Sequence, residues 1–144
     1  MRYGGSQREP PNRGDVFTDH ALSARLARGD AGVILVWSPH MPLSVDQYEV
    51  LVPVTRDLGL ALVVVLDPSA DPGYARRTAR ERGLPDAALV PLGGIELTFR
   101  GMTTHAPSVQ AFADGRLVGP VLYGYRAGAT ARLAIERALG ERHQ

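Results

Sequence analysis

The side chains with the greatest potential for chemistry lie in two short segments of this 144-residue chain. The first segment holds Ser38, His40, Met41 and Ser44, and the second holds Met102 and His105. A serine beside a histidine is the core of many nucleophilic hydrolases, whereas thioethers together with imidazoles suit a soft metal ion such as Cu(I). Either chemistry requires a fold that places the necessary side chains next to one another.

A serine hydrolase would pair Ser38 or Ser44 with one of the two histidines. The chain has no Gly-x-Ser-x-Gly segment, which is the segment that presents the nucleophile in α/β-hydrolases. Asp46 and Asp67 are candidates for the acid that orients the histidine, but the sequence does not place either of them. A hydrolase therefore stays an alternative without a supporting motif.

Thiol chemistry is excluded, because the chain contains no cysteine. Disulfide exchange proceeds through a thiolate that attacks a sulfur atom, and neither a thioether nor a hydroxyl replaces that thiolate. The sequence therefore predicts that the protein is not a thiol–disulfide oxidoreductase. The lack of cysteine does not indicate a compartment, since such a chain suits a reducing or an oxidising one equally.

The charge of the chain is nearly balanced, with 16 basic and 15 acidic residues and a net charge of +1. Such a balance gives no long-range attraction to nucleic acid or to an anionic membrane, so we expect no nucleic-acid partner. Basic residues do crowd locally at Arg76, Arg77, Arg80 and Arg82, with Glu81 among them. We interpret this cluster as a solvated helix face, with a phosphate or nucleic-acid patch as the alternative.

Neither a membrane span nor a secretory signal is predicted. The longest apolar run, from Leu58 to Leu66, is far shorter than the roughly 20 residues of a spanning helix. The first residues do not form a charged region followed by an apolar one. The chain as written is therefore expected to be cytoplasmic, or to belong to the cell envelope if a leader or anchor has been removed.

The chain divides into an arm and one domain. Residues 1–14 are rich in glycine, proline and arginine and nearly devoid of apolar side chains, which predicts a flexible N-terminal arm. Residues 15–144 form the predicted domain, and its first element is a helix from Asp15 to Arg28 that ends before Gly29.

The remaining elements alternate between strands and helices. Hydrophobic periodicity predicts strands over residues 32–37, 60–66, 108–112 and 117–123, and helices over residues 42–57, from 71 or 72 to 82, and 127–139. Pro53 should kink or end the first of these helices. Residues 87–92 are a short strand or a loop, and residues 95–99 fit a short helix or an extended piece equally well.

This order predicts a mixed α/β fold. The first two strands should be parallel, because a helix connects them through a right-handed crossover. The last two should form a hairpin, because Asp114-Gly115 lies between two apolar runs. A sheet with both kinds of pairing and helices around it follows.

Residues 34–44, Ile-Leu-Val-Trp-Ser-Pro-His-Met-Pro-Leu-Ser, resemble the active-site strand and turn of the thioredoxin-like superfamily. Trp37 matches the tryptophan at the end of that strand, and Met41 and Ser44 stand where the family has the two cysteines of Cys-x-x-Cys. Pro107, just before an apolar strand, stands where the family has a cis-proline. The Ser-Pro pair ahead of the motif is similar to thiol-oxidoreductase-like proteins of the bacterial cell envelope.

The resemblance implies a thioredoxin-like fold with a cis Ala106–Pro107 bond and a surface groove between the two chemical segments. The groove residues that it implies are Trp37, Ser38, His40, Met41, Ser44, Ala106 and Pro107. In the parent family this groove receives an extended peptide through backbone hydrogen bonds. The predicted function is therefore that of a redox-inactive binding or assembly module with a protein or peptide partner.

Metal binding is the second function that the resemblance leaves open. If the fold brings His40, Met41, Met102 and His105 together, their sulfur and nitrogen atoms would suit Cu(I) or another soft metal in a carrier protein. No cofactor other than such a copper ion is predicted. The identity of a partner and the oligomeric state are not specified by the sequence.

Overall fold

The protein is built on a five-stranded mixed sheet. The computed structural model describes residues 27–67, 69–84, 90–91 and 106–140. The elements in chain order are β1 (Gly32–Trp37), α1 (Pro42–Asp57), β2 (Ala61–Leu66), α2 (Pro72–Glu81), β3 (Val90–Pro91), β4 (Ser108–Ala113), β5 (Arg116–Tyr123) and α3 (Gly128–Gly140). Each strand and helix predicted over these residues is present, with ends that differ by one residue or so.

The strand order in the sheet is β3-β2-β1-β4-β5, so that β1 lies at the centre. β1 pairs with β2 in parallel and with β4 in antiparallel fashion. The predicted α/β fold with a thioredoxin-like sheet, and the predicted parallel pairing of the first two strands, are confirmed. The carboxyl end of β1 is consequently flanked by the end of β2 and by the beginning of β4.

Both faces of β1 are covered, which explains its uninterrupted apolar sequence. Val33, Leu35 and Trp37 belong to a core cluster that also contains apolar side chains of α1, α2 and α3. Ile34 and Val36 lie on the other face and pack with residues of β2, β4 and β5. The alternation follows from the two-residue side-chain period of a strand.

Helix α1 contains Pro53 but does not end there, since it continues to Asp57. The alternative that Pro53 ends the helix is therefore wrong. A proline inside a helix removes one backbone hydrogen bond. Leu51 and Val54 on either side of it are buried in the core, and tertiary packing of this kind supplies most of the stability of a helix.

The hairpin between β4 and β5 is confirmed. Its two central residues, Asp114 (φ 57°) and Gly115 (φ 82°), both have positive φ. Positive φ at both positions is the requirement of the type I′ turn, and an Asp-Gly pair meets it at low cost.

Several predictions fall on residues outside those that the structure describes: the arm of residues 1–14, most of the helix of residues 15–28, and the segment 95–99. Ala27 and Arg28 are helical, and Gly29 follows with φ 75°. None of the described helices combines the length and the apolar character that crossing a membrane requires.

Candidate binding surface at the end of the central strand

Three segments of the chain meet at the carboxyl end of β1. The antiparallel register pairs Val36 with Ser108, which places Pro107 next to Trp37. The Trp37 carbonyl accepts a hydrogen bond from the Asp67 N–H at 2.8 Å, so the loop after β2 is joined to the same point. The Ala106–Pro107 peptide bond is cis, as the resemblance predicts.

Ser44 closes the turn between β1 and α1 from the inside. Its hydroxyl accepts a hydrogen bond from the Ser38 N–H at 2.8 Å and donates one to the Ser38 carbonyl at 2.8 Å. The Ser44 side chain has no exposed surface. The same Ser38 carbonyl accepts the Met41 N–H at 3.2 Å. A hydroxyl at this position therefore holds the turn in shape and is not accessible as a nucleophile.

The outside of the turn is apolar and exposed. Met41 is 49% exposed and Leu43 is 55% exposed. Met41 is the N-cap of α1 and makes no side-chain capping bond. Pro42, in the first turn of the helix, needs no hydrogen-bond partner because it has no N–H. Among the described residues, the Met41 thioether therefore accepts no hydrogen bond from the backbone N–H groups of the first turn of α1.

His40 joins the turn to α2. Its Nε2 atom accepts a hydrogen bond from the Asp71 N–H at 3.2 Å, which assigns the ring proton to Nδ1. The His40 ring lies 5.1 Å from the Tyr74 ring, centroid to centroid. Asp71 is the N-cap of α2, and its carboxylate accepts the Tyr74 N–H at 2.7 Å. The imidazole thus docks on the first turn of α2.

This geometry removes His40 from the hydrolase hypothesis. The base of a nucleophilic serine must accept that serine's proton, but His40 Nε2 is engaged by a backbone amide. Ser38 Oγ accepts the His40 N–H at 3.2 Å, which is a bond to the main chain and not to the ring. His105 lies outside the described residues.

The predicted groove residues differ in accessibility. Trp37, Ser38, Ser44 and Pro107 are buried, Ala106 is half-buried, and His40 and Met41 are exposed. Leu43, Asp71 and Tyr74 also belong to this surface but were not predicted. The exposure of Leu43 could have been predicted from its position directly after Pro42, in the first turn of the helix. Asp71 and Tyr74 lie at this surface only because the tertiary structure places α2 beside the turn.

Two of the four predicted copper ligands, Met102 and His105, lie outside the described residues. Within the described part of the chain, no group of three or more histidine, aspartate and glutamate side chains is placed to hold a metal ion. His40 and Met41 are adjacent and exposed, and Nε2 of His40 already has a hydrogen-bond partner. Copper binding stays a prediction.

Ala106 offers its backbone at this surface. Neither its N–H nor its carbonyl is hydrogen-bonded to any residue that the structure describes. On the other side of the cis bond, the Pro107 carbonyl accepts the Gly124 N–H at 3.0 Å. The main-chain groups of this half-buried residue therefore have no partner among the described residues, whereas the Pro107 carbonyl is bonded to the residue that follows β5.

Comparisons with known proteins agree on the architecture. No protein-family model matches the chain, and no curated protein matches its sequence. Among solved structures, dsbF of MTB has a TM-score of 0.59 at 16% identity, over 76% of this chain and 81% of that one. A thiol:disulfide interchange protein of the thioredoxin family from Chlorobium tepidum TLS has a TM-score of 0.59 at 16% identity, over 82% and 85%.

A secreted Mycobacterium tuberculosis disulfide oxidoreductase homologous to E. coli DsbE is also similar, with a TM-score of 0.55 at 14% identity over 76% of this chain and 82% of that one. At such identities the likeness shows the fold. This protein has a thioredoxin-like fold, and its sequence contains no cysteine. Met41 and Ser44 lie in the turn between β1 and α1, at the positions that the resemblance matches to the two cysteines of Cys-x-x-Cys. Fold and composition together fit a redox-inactive module.

Proposed function

We propose that the protein binds an extended segment of a partner protein at the end of β1. The turn surface, which we define as His40, Met41, Leu43 and Ala106, is the contact site. The observation that carries this proposal is the exposure of two large apolar side chains, Met41 (49%) and Leu43 (55%), on a turn that is held in shape by the two hydrogen bonds between Ser38 and Ser44. Exposed apolar patches are a common mark of interaction sites.

Main-chain hydrogen bonds would supply part of the affinity. A partner strand adds to a protein by pairing with backbone groups that have no internal partner. Ala106, next to Pro107, has main-chain groups without a partner among the described residues. The exposed side chains of Met41 and Leu43 would then contact alternate residues of the bound strand. This mode uses the groove that the parent family employs, without the thiol step.

The turn is suited to binding because it is held in place before a partner arrives. The two Ser38–Ser44 bonds and the His40–Asp71 bond fix it from the inside and from the side. A preorganised surface loses less conformational entropy on binding. The side chain that is free to adapt is a methionine, which accommodates differently shaped apolar partners.

A displayed library of random eight-residue peptides, selected on the immobilised protein, tests the proposal. The amide NMR spectrum is then recorded with and without a selected peptide. We expect shifts concentrated at the non-proline residues of the turn and at Ala106, since proline has no amide N–H, and none at the Asp114-Gly115 turn at the other end of the sheet. We also expect Met41→Asp to weaken binding at least tenfold, since it places a charge in an apolar contact.

Leu133→Asp is the matched control, because Leu133 lies on α3 and is 50% exposed, as much as Met41. It should leave binding unchanged. Selected peptides that bind Met41→Asp as well as the wild type, or that shift only residues away from the turn surface, would overturn the proposal.

A further inference from the structure

A basic cluster on α2 adjoins the turn surface. Arg76, Arg77 and Arg80 are exposed, and none of them has a carboxylate within ion-pair distance among the described residues. With about 100° of rotation per residue, the three lie within about 100° of the helix circumference, opposite the buried Ala75, Thr78 and Ala79.

Arg82, unlike Arg76, Arg77 and Arg80, has carboxylate partners among the described residues. It lies within 2.8 Å of Glu49 Oε2 and 3.3 Å of Asp46 Oδ1, and hydrogen bonds to these two carboxylates raise the pKa of its guanidinium. The acids of α1 that face α2 are thereby engaged. Within α2, Glu81 is four residues from Arg77 but makes no described ion pair with it.

Arg77 instead lies over the Tyr74 ring, with Cζ 5.7 Å from the ring centroid. Tyr74 in turn contacts His40, which is adjacent to Met41. A continuous line of contacts therefore leads from the apolar turn to the cluster. Arg80 is one helical turn beyond Arg77, so the line extends about 5 Å further along α2.

Like charges at i,i+3 and i,i+4 spacing repel one another and destabilise a helix. Arg77 and Arg80 have the first spacing, and Arg76 and Arg80 have the second. No carboxylate among the described residues neutralises these three guanidinium groups. An acidic ligand that paired with them would therefore relieve the repulsion. The positive field is narrow, since Asp46 and Glu49 lie close by and the whole chain has a net charge of +1.

We propose, on the basis of the binding function proposed above, that the turn surface and the α2 arginines together select an acidic segment of a partner protein. Apolar residues of that segment contact Met41 and Leu43, and carboxylates that follow in the segment pair with Arg77, Arg80 and Arg76. A narrow basic cluster continuous with an apolar patch favours such a peptide over nucleic acid, which requires a broad positive surface.

The test compares peptide pools selected by the same eight-residue display library on two proteins. One is the wild type, and the other is the triple variant Arg76→Gln, Arg77→Gln, Arg80→Gln. We expect aspartate and glutamate to be enriched in the first pool and to occur at the library frequency in the second. A peptide from the first pool should bind the triple variant about tenfold more weakly, which corresponds to three exposed ion pairs.

The control variant Arg56→Gln, Arg132→Gln, Arg137→Gln removes the same charge from α1 and α3. Arg56 is in the last turn of α1, and Arg132 lies 3.8 Å from Asp57 at the end of that helix, roughly 20 Å from the turn. This variant should keep the acidic preference. Raising the ionic strength from about 0.02 M to about 0.5 M should weaken peptide binding to the wild type and to this control, but not to the α2 variant.

The outcomes separate the two proposals. If no peptide depends on Met41, the binding function itself is wrong. If peptides depend on Met41 but show no acidic enrichment, or if the control variant loses the enrichment equally, the role of the α2 arginines is overturned. If a labelled single-stranded oligonucleotide binds the wild type more tightly than the acidic peptides and loses affinity in the α2 variant, the cluster is a phosphate site and the peptide assignment is wrong.

Discussion

The two positions that match cysteines in the thioredoxin family have opposite environments. Ser44 is fully buried and uses its hydroxyl in two hydrogen bonds to Ser38. Met41, three residues earlier, is 49% exposed and has no capping bond. Ser44 holds the turn together from the inside through its hydrogen bonds, and Met41 forms part of the outer surface of the turn.

This difference shows how a turn without thiols is held in shape. In the absence of cysteine, the shape of the segment depends on ordinary hydrogen bonds and packing. The Ser44 hydroxyl accepts the Ser38 N–H, which would otherwise be a buried group without this partner. The outer position has no such task, so a large apolar side chain is tolerated there and is available for contact with a partner.

The largest effect is expected from restoring both thiols. The wild type should not exceed the buffer blank in an insulin-reduction assay, because no residue can form the mixed disulfide. The double variant Met41→Cys, Ser44→Cys should show measurable turnover, since the N-terminus of α1 lowers the pKa of a thiol placed there.

The single variant Met41→Cys is the control for that experiment. It has a nucleophile but no resolving thiol within the turn, and it should not turn over. Wild-type activity above the blank in a preparation free of other oxidoreductases would contradict the assignment of the turn as redox-inactive.

Ser44→Ala should destabilise the protein by about 2–3 kcal/mol, because it leaves the buried N–H and carbonyl of Ser38 without this partner. Urea denaturation followed by circular dichroism measures the change. Ser69→Ala is the matched control, since Ser69 is exposed and donates its hydroxyl only to the Asp67 carboxylate at 3.0 Å. Its effect should stay within about 0.5 kcal/mol. Equal effects of the two substitutions would mean that Ser44 does not fasten the turn.

His40→Ala should cost about 1 kcal/mol, because it removes the acceptor of the Asp71 N–H at an exposed site. His40→Phe separates the two contacts of the ring, since it keeps an aromatic side chain against Tyr74 but has no acceptor. If the hydrogen bond to the Asp71 N–H matters more than the ring contact with Tyr74, His40→Ala and His40→Phe should be equally destabilised in the same urea experiment. Full stability of His40→Phe would assign the effect to the ring contact.

Met41→Ala should change the free energy of unfolding by less than about 0.5 kcal/mol, since the side chain lies on the surface. The same substitution should weaken binding of a selected peptide. A thermal or urea midpoint that falls as much as in Ser44→Ala would show that Met41 is a structural residue, and the contrast between the inside and outside of the turn would be lost.

Much of the fold is encoded locally. The continuous apolar run of residues 32–37 predicts a strand covered on both faces, and Asp114-Gly115 predicts the hairpin, because each depends on side-chain period or on backbone preferences of a few neighbouring residues. The match of residues 34–44 and Pro107 to a known pattern was enough to predict a cis bond at Ala106–Pro107, which the structure contains.

Local sequence patterns did not predict which residues of the site are exposed. The predicted groove contained Trp37, Ser44 and Met41, but of these three only Met41 is exposed. Trp37 lies on the face of β1 that the helices cover, and the rotation of α1 against the sheet turns Ser44 toward the core. The contacts of His40 with Asp71 and Tyr74 join residues more than thirty positions apart. They arise only when the β1–α1–β2 crossover places the start of α2 beside the turn.

The sequence by itself determined the elements, the parallel pairing of β1 with β2, the β4–β5 hairpin and the absence of thiols. These depend on composition, on local periodicity and on the connections between neighbouring elements. The tertiary structure alone decided that Ser44 fastens the turn while Met41 faces outward. It also decided that three arginines of α2, which have no ion-pair partner among the described residues, adjoin the same surface. Burial and charge pairing are properties of neighbours in space, and the chain brings those neighbours together only on folding.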